Sequence, residues 1–164
     1  MKTFYTGHTK SGSAMTRLIL QTFRLHGALI DSGEILVRPV GLTAARWQVI
    51  SCVARAAQPA PVAHIAREMG LARQSVQRLA DRLAADGLIE YRQNANHKRA
   101  PVVVLTDSGK RAFDAATKRQ VGWVNSLADG VKSEDIETAL AVLIELDRRL
   151  RTVGQSGLTG ASER

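Results

Sequence analysis

The sequence has little of several features on which common protein classes depend. A single cysteine among 164 residues excludes a disulfide within the chain. Near the N-terminus the longest apolar run is Leu18-Ile19-Leu20, far shorter than a signal-peptide core of about 7–15 residues. No segment has the length or the apolar purity of a membrane span. We therefore expect a cytoplasmic protein with no membrane partner.

The usual signatures of catalysis and of metal binding are also missing. The four histidines, His8, His26, His64 and His97, are scattered and lack the clustered partners of a zinc or iron site. The chain contains no glycine-rich phosphate loop and no nucleophile elbow. We expect no metal, no cofactor and no enzymatic activity.

The composition is that of a globular domain with a basic half. Apolar residues make up 45% of the 164 residues, and this length is typical of one domain with its own core. The formal net charge is +8, and residues 1–106 hold 14 Lys and Arg against 6 Asp and Glu. Residues 107–164 hold 9 of each kind. A basic excess confined to one half is typical of a surface that binds a polyanion.

The stretch from Pro61 to Thr106 contains a pair of short helices within this basic half. Between Ala72 and Asp86 the apolar residues recur at the spacing of an amphipathic helix, namely Val76, Leu79, Ala80 and Leu83. A shorter stretch with the same period ends at Gly70. Two helices joined by a turn predict a helix-turn-helix, whose second helix enters the major groove of DNA.

The polar face of the second helix carries side chains suited to reading bases. The predicted DNA contacts on it are Arg73, Gln74, Ser75, Gln77 and Arg78. Arginine can form two hydrogen bonds with guanine, and glutamine can form two with adenine. Asp81 lies one turn later and is interpreted as orienting Arg78. The simpler alternative is a solvated polar face with no partner.

After Gly87 the pattern changes to that of a β-hairpin. One strand opens at Leu88-Ile89 and ends near Arg92, and a second runs from Val102 to Leu105. The loop between them supplies the remaining predicted DNA contacts, Asn96, His97, Lys98 and Arg99. Thr106 then caps a new helix. A hairpin in this position is a wing, and its arginine would enter the flanking minor groove.

These stretches together resemble the multiple antibiotic resistance regulator (MarR) family of winged-helix transcription factors. The segments that carry the resemblance are GLARQSVQRLADRLAADGLIEYR, NANHKRAPVVVLTDSG and GLTAARWQVI, and it spans about Met15 to Val153. It implies a homodimer with one winged helix-turn-helix in each subunit, often released from DNA by a small ligand or oxidant. Two positions depart from the family pattern. His97 replaces the usual acidic residue of the wing, and Ala72 replaces the Asp, Ser or Thr common at the start of the recognition helix.

The remaining segments are assigned around this motif. We expect a flexible arm over residues 1–12, one domain over residues 13–153 and a flexible tail over residues 154–164. Within the domain, residues 42–106 form the winged helix-turn-helix, and residues 13–38 and 107–153 form dimerisation helices. The first helix is expected to weaken at Asp31-Ser32-Gly33. The predicted fold class is mainly α with a small β-hairpin wing.

The flanking helices carry more apolar surface than a three-helix winged domain can cover. The residues expected at a dimer interface are Leu18, Phe23, Ile136, Leu140, Leu143, Leu146 and Leu150. Two recognition helices related by a two-fold axis would meet major grooves about 34–36 Å apart, so the operator should be an inverted repeat in double-stranded DNA.

The sequence therefore predicts a homodimeric DNA-binding regulator of transcription, a repressor that a small-molecule effector releases from its operator. Two alternatives stay open. One is a winged-helix module that binds a protein through the same basic face. The other is a redox-responsive regulator acting through Cys52, although a small buried hydrophobe is the simpler interpretation of this cysteine. Trp47 and Trp123 are interpreted as core or interface residues.

Overall fold

The structure, a computed structural model, describes residues 7–94 and 100–159, with side chains only as far as Thr152. These ranges contain six α-helices and three short strands, which confirms the predicted fold class. The helices are α1 Lys10–Val37, α2 Ala44–Arg55, α3 Val62–Met69, α4 Arg73–Ala85, α5 Asp107–Ala128 and α6 Ser133–Thr159. The strands are β1 Ala60–Pro61, β2 Ile89–Arg92 and β3 Val102–Leu105. The chain forms two compact units, residues 1–121 and residues 122–164.

The core of the first unit is built mainly from the apolar faces of α2, α3 and α4 and one face of the sheet, with Val37 of α1 and Ala116 of α5 added to it. The predicted stripe of α4 is buried at Val76, Ala80 and Leu83, each with 0% of its surface exposed. Burial of a side chain as large as Val76 or Leu83 stabilises the fold by roughly 1.5–3 kcal/mol. The other large core residues are Val37, Val49, Ile50, Ile65, Ile89 and Val103. This core holds the polar face of α4 outward.

The turn between α3 and α4 depends on a glycine. Gly70 adopts φ +64°, a left-handed conformation that side chains with a Cβ disfavour. Its N–H donates to the carbonyls of Ala66 and Arg67, which ends α3. Ala72 precedes α4 and gives no side-chain cap, as the sequence predicted. The chain therefore reverses within three residues and places α4 directly after α3.

The wing is part of a three-stranded antiparallel sheet with β3 in the centre. Strand β2 pairs with β3 from Ile89 opposite Leu105 to Arg92 opposite Val102, as expected for the hairpin. Strand β1 pairs with the other edge of β3 and was not predicted. Its two residues lie in a proline-rich stretch that reads as a loop. Pro61 has no N–H to donate, so it fits at the edge of a sheet. The segment is a strand because it pairs with β3.

Helix α1 begins at Lys10, three residues earlier than the sequence predicted. Thr9 caps it, since its Oγ1 accepts from the Gly12 N–H at 3.0 Å. The predicted flexible arm is therefore wrong for residues 10–12, and residues 1–6 lie outside the described residues.

The predicted weakening of α1 at Asp31-Ser32-Gly33 is also wrong, because tertiary contacts compensate for the low helix propensity of this stretch. A Cβ added to the buried Gly33 would meet Ala44 Cβ at 3.5 Å and Trp47 Cζ3 at 3.7 Å. One residue later, Glu34 Oε2 accepts from the Ala44 N–H at 2.7 Å. The side of α1 that faces α2 therefore keeps the helix intact.

The second unit, residues 122–164, consists of the end of α5 and helix α6. Helix α6 continues to Thr159, so the predicted flexible tail is wrong for residues 154–159, and the last five residues lie outside the description. Hydrogen bonds from Arg148 and Arg149 hold the pKa of Glu145 at about 2. None of the helices in the described ranges is both long and apolar enough to cross a membrane.

Candidate nucleic-acid interface and effector cleft

The predicted recognition face lies on the first turns of α4. Arg73, Gln74, Ser75 and Arg78 are exposed, and Gln77 is half-buried. All of these except Ser75 line one surface depression of about 430 Å³. The core residues on the opposite side of α4 fix the direction of this face. The structure thus brings four of the five predicted base-reading side chains into one patch.

The charged groups of this patch are available to a partner. Within the described part of the chain, neither Arg73 nor Arg78 forms an ion pair or a side-chain hydrogen bond. By contrast, Arg46 on α2 forms an ion pair with Asp86, just after α4. Arg73 also lies in the first turn of α4, where the helix dipole is positive. Together the two arginines form a compact anion-attracting surface.

Asp81 does not orient Arg78, and that prediction is wrong. Its Oδ1 accepts from Gln77 Nε2 at 2.8 Å and from the Tyr91 hydroxyl at 2.7 Å. Gln77 Nε2 also donates to Tyr91 Oη at 2.9 Å. Sequence reasoning missed Tyr91, although strand alternation could have found it. Tyr91 lies two residues after the buried Ile89, and so on the same face of β2.

The environment of Tyr91 keeps its hydroxyl protonated. Partial burial and the hydrogen bond to the Asp81 carboxylate raise the pKa of Tyr91 to about 12. The phenol is therefore a hydrogen-bond donor at every physiological pH. Its one proton is directed at Asp81, because an ionised carboxylate can only accept.

The wing carries the other predicted contacts. Asn96, His97, Lys98 and Arg99 fall outside the described residues, so their role stays a prediction. The base of the loop is described, and there Asn94 Nδ2 donates to the Ala100 carbonyl at 3.1 Å.

The root of the wing is fastened by Thr106, which caps α5 as predicted. Its Oγ1 accepts from the Gly109 N–H at 3.0 Å and donates to the Gly87 carbonyl at 2.6 Å. Its own N–H donates to the Leu88 carbonyl at 3.1 Å. A Cβ on Gly109 would lie only 1.9 Å from that same carbonyl oxygen. Helix α5 therefore approaches the start of the hairpin so closely that only glycine fits.

A second feature of the first unit is an open cleft of about 1100 Å³ beside α2 and α3. The polar and aromatic residues that line it are His26, Trp47, Gln48, Ser51, Cys52, Arg55, Gln58, His64, Glu68 and Gln120. No ligand residues were predicted here. Most of the lining comes from residues 47–71, and His26 of α1 and Gln120 of α5 complete it. The sequence pattern of this stretch predicted helices and turns but did not mark a cleft.

Two lining residues have informative chemistry. The Trp47 indole Nε1 is buried and has no hydrogen-bond partner among the described residues. A buried unpaired N–H costs about 1–3 kcal/mol, so this indole is held at an energetic cost. Burial raises the pKa of the half-buried Cys52, with Glu68 adding to the shift and Arg55 opposing it. A protonated thiol is a poor nucleophile, which weighs against the redox alternative.

The residues expected at a dimer interface lie on α1 and α6, and most are open to solvent in the single chain. The exposed fractions are 71% for Phe23, 43% for Ile136, 47% for Leu140, 37% for Leu143 and 62% for Leu150. Leu18 and Leu146 are half-buried.

Among the described residues, no group of three His, Cys, Asp or Glu side chains could hold a metal ion.

Comparison with known proteins identifies the family. A sequence model of the MarR family matches residues 40–100, which include the helix-turn-helix. An uncharacterised protein of Mycobacterium tuberculosis strain H37Rv is 43% identical over 117 residues, covering 71% of this chain and 80% of that protein.

Solved structures share the fold. CouR from Rhodococcus jostii RHA1, bound to p-coumaroyl-CoA, matches with a TM-score of 0.72 and 19% identity over 79% of this chain and 90% of its own. The regulator MOSR of Mycobacterium tuberculosis, in complex with DNA, matches with a TM-score of 0.67 and 20% identity over 81% of this chain and 97% of its own. Members of the MarR family regulate transcription and are not enzymes. This chain belongs to the MarR family of winged-helix transcriptional regulators.

Proposed function

We propose that the protein is a homodimer that binds an inverted-repeat operator, represses transcription there and is released by a small-molecule effector. The observation that carries the proposal is the patch on α4, where Arg73 and Arg78, which have no ion pair within the described ranges, meet two glutamines in one depression. Arginine and glutamine are the side chains that recognise guanine and adenine edges in the major groove. The basic excess of residues 1–106 would add phosphate attraction around this patch.

The DNA contacts follow from this placement. Helix α4 enters the major groove with Arg73, Gln74, Ser75, Gln77 and Arg78 toward bases and phosphates. The wing loop enters the adjacent minor groove with Asn96, His97, Lys98 and Arg99. The structure of MOSR in complex with DNA supports this proposal, since that protein shares the fold.

Dimerisation accounts for the apolar side chains left open on α1 and α6. Phe23 and Leu150 have more than half of their surface exposed, which is costly for residues of this size. A second copy of the chain would cover these faces and place two α4 helices on successive major grooves. The proposed interface residues are Leu18, Phe23, Ile136, Leu140, Leu143, Leu146 and Leu150.

The cleft beside α2 and α3 is the proposed effector site. Its volume of about 1100 Å³ is slightly above the range of about 300–1,000 Å³ for small-molecule pockets. The Trp47 indole, which lines the cleft, would contact the effector. CouR, which shares the fold, binds p-coumaroyl-CoA in its crystal structure. Because α3 is the first helix of the helix-turn-helix, an occupant can release DNA if it favours a different spacing of the two recognition helices.

The test begins with selection of duplexes from a random-sequence library at low salt, followed by affinity measurements on the selected site. Arg78→Ala should weaken binding by about 1–3 kcal/mol and relax base preference, while Arg99→Ala should weaken it with less change in preference. Lys118→Ala removes the same charge from the exposed side of α5 and serves as the control. Its affinity should stay close to that of the wild type.

Three outcomes would contradict the proposal. The first is that the wild type selects no duplex, and the second is that it sediments as a stable monomer. The third is that Arg78→Ala keeps the wild-type ratio of affinities for operator and scrambled DNA. Affinity for the operator should also fall steeply and log-linearly with salt. A protein partner on the same face, bound through apolar contacts, would show no such salt dependence.

A further inference from the structure

The amide of Gln77 is held in one orientation by two neighbours. Its nitrogen donates one hydrogen to Asp81 Oδ1 at 2.8 Å and the other to Tyr91 Oη at 2.9 Å. The Tyr91 hydroxyl closes the triangle by donating to Asp81 Oδ1 at 2.7 Å. We call this group of Gln77, Asp81 and Tyr91 the amide clamp. It joins the recognition helix to strand β2 of the wing.

The polarity of the clamp follows from counting protons. An amide nitrogen has two hydrogens, and both are used here. If the amide were flipped, its oxygen would face the carboxylate, and two acceptors would repel each other. The orientation with nitrogen inward is therefore the stable one. The atom of Gln77 left without a partner among the described residues is Oε1.

This orientation changes what Gln77 can read. Two hydrogen bonds to adenine require both the amide oxygen, for N6, and an amide hydrogen, for N7. The clamp leaves only the oxygen, which is an acceptor. In the major groove an acceptor is matched by the amino group of adenine or cytosine and repelled by guanine O6 or thymine O4. Gln74 is exposed and can still form both bonds with adenine.

We propose that Tyr91 and Asp81 are specificity-determining positioning residues, which make Gln77 select an amino base, adenine or cytosine, instead of adenine alone. The inference rests on the proposed function, since it assumes that α4 lies in the major groove. Tyr91 itself contacts no base. It acts through the amide of Gln77, so its removal should change base ranking more than affinity.

The test compares base preference in variants of the full-length protein. Gln77→Ala first locates the base pair whose preference is lost. Tyr91→Phe removes only the phenol oxygen and frees one Gln77 hydrogen. At that base pair, the ratio of adenine to cytosine should rise about fivefold, the discrimination supplied by one hydrogen bond. All other positions should keep their ranking.

Glu90→Gln is the matched control. Glu90 precedes Tyr91 in β2 and pairs with Arg92, and it is not part of the clamp. This variant removes one negative charge and should strengthen binding to all duplexes alike, with no change in ranking. A purely structural effect of Tyr91→Phe would weaken binding to all duplexes by the same factor, and that result would overturn the inference.

A second measurement tests the clamp without DNA. In nuclear magnetic resonance spectra of the wild type, both Gln77 side-chain amide protons should be resolved and show contacts to the Tyr91 ring. In Tyr91→Phe one of them should move toward the solvent-exposed position. If the Gln77 amide protons of the wild type had averaged chemical shifts like those of an amide in solvent, the existence of the amide clamp would be refuted. If the wild type selects no duplex, the proposed function is refuted together with this inference. If the wild type selects a duplex and Tyr91→Phe leaves the ranking of bases unchanged, only this inference is refuted.

Discussion

Replacement of Gly109 by alanine should destabilise the protein, although alanine is the better helix former. Gly109 lies in the first turn of α5, where the added Cβ would be 1.9 Å from the Leu88 carbonyl oxygen and 2.9 Å from its carbon. Real Cβ atoms essentially never approach other atoms closer than 3.0 Å. The helix and the wing root must therefore separate by about 1 Å. This carbonyl cannot move freely, since it accepts from the Thr106 N–H.

The size of the effect follows from what this separation breaks. Crowding a packed site costs about 1–3 kcal/mol. Loss of the bond from Thr106 N–H to Leu88 costs about 1 kcal/mol, and weakening of the Thr106 cap costs about 0.5–2 kcal/mol. We expect a loss of about 3 kcal/mol in the free energy of unfolding. In a chain of this size that corresponds to a fall in Tm of roughly 6–12 °C.

Gly33→Ala is the matched control, because the same substitution should have the opposite sign there. At Gly33 the new Cβ would make ordinary contacts at 3.5 and 3.7 Å inside α1. Relief of the glycine entropy cost should stabilise the protein by about 0.5–1 kcal/mol. Unfolding is followed by far-ultraviolet circular dichroism at equal protein concentrations, since the proposed dimerisation would make Tm depend on concentration. A Gly109→Ala protein as stable as the wild type would refute the reasoning.

Three further predictions concern single side chains. Tyr91 should titrate near pH 12, measured by absorbance against Tyr91→Phe, and Asp81→Asn should lower its pKa. Because the folded pKa lies above the ordinary value of about 10, its contribution to stability should be complete below pH 10 and lost as pH rises through 12. Cys52 should react slowly with a thiol reagent at neutral pH and faster on unfolding, and rapid labelling of the native protein would revive the redox alternative. Glu34→Ala should destabilise the protein by about 1–2 kcal/mol by removing the acceptor of the Ala44 N–H, and an unchanged denaturation midpoint would show that this bond contributes nothing.

The sequence by itself determined the elements whose cause is local. The period of Val76, Ala80 and Leu83 required an amphipathic helix, and the same stripe decided that Arg73, Gln74 and Arg78 face outward. The change from helical to strand patterning after Gly87 marked the hairpin. Turn and cap residues, such as Gly70 and Thr106, marked the ends of helices, because their preferences depend on the backbone next to them.

Tertiary structure alone decided the features that depend on residues distant in the chain. Asp31–Gly33 lacks helix propensity but stays helical because Ala44 and Trp47 pack against it. Ala60–Pro61 is a strand only because it pairs with β3, which lies about 40 residues away in the chain. Asp81 has one local partner, Gln77, and one that only the fold supplies, since Tyr91 from the wing donates to it at 2.7 Å. Local preferences are energies of a few tenths to about one kcal/mol per residue, so a few packed contacts or hydrogen bonds from elsewhere in the chain outweigh them.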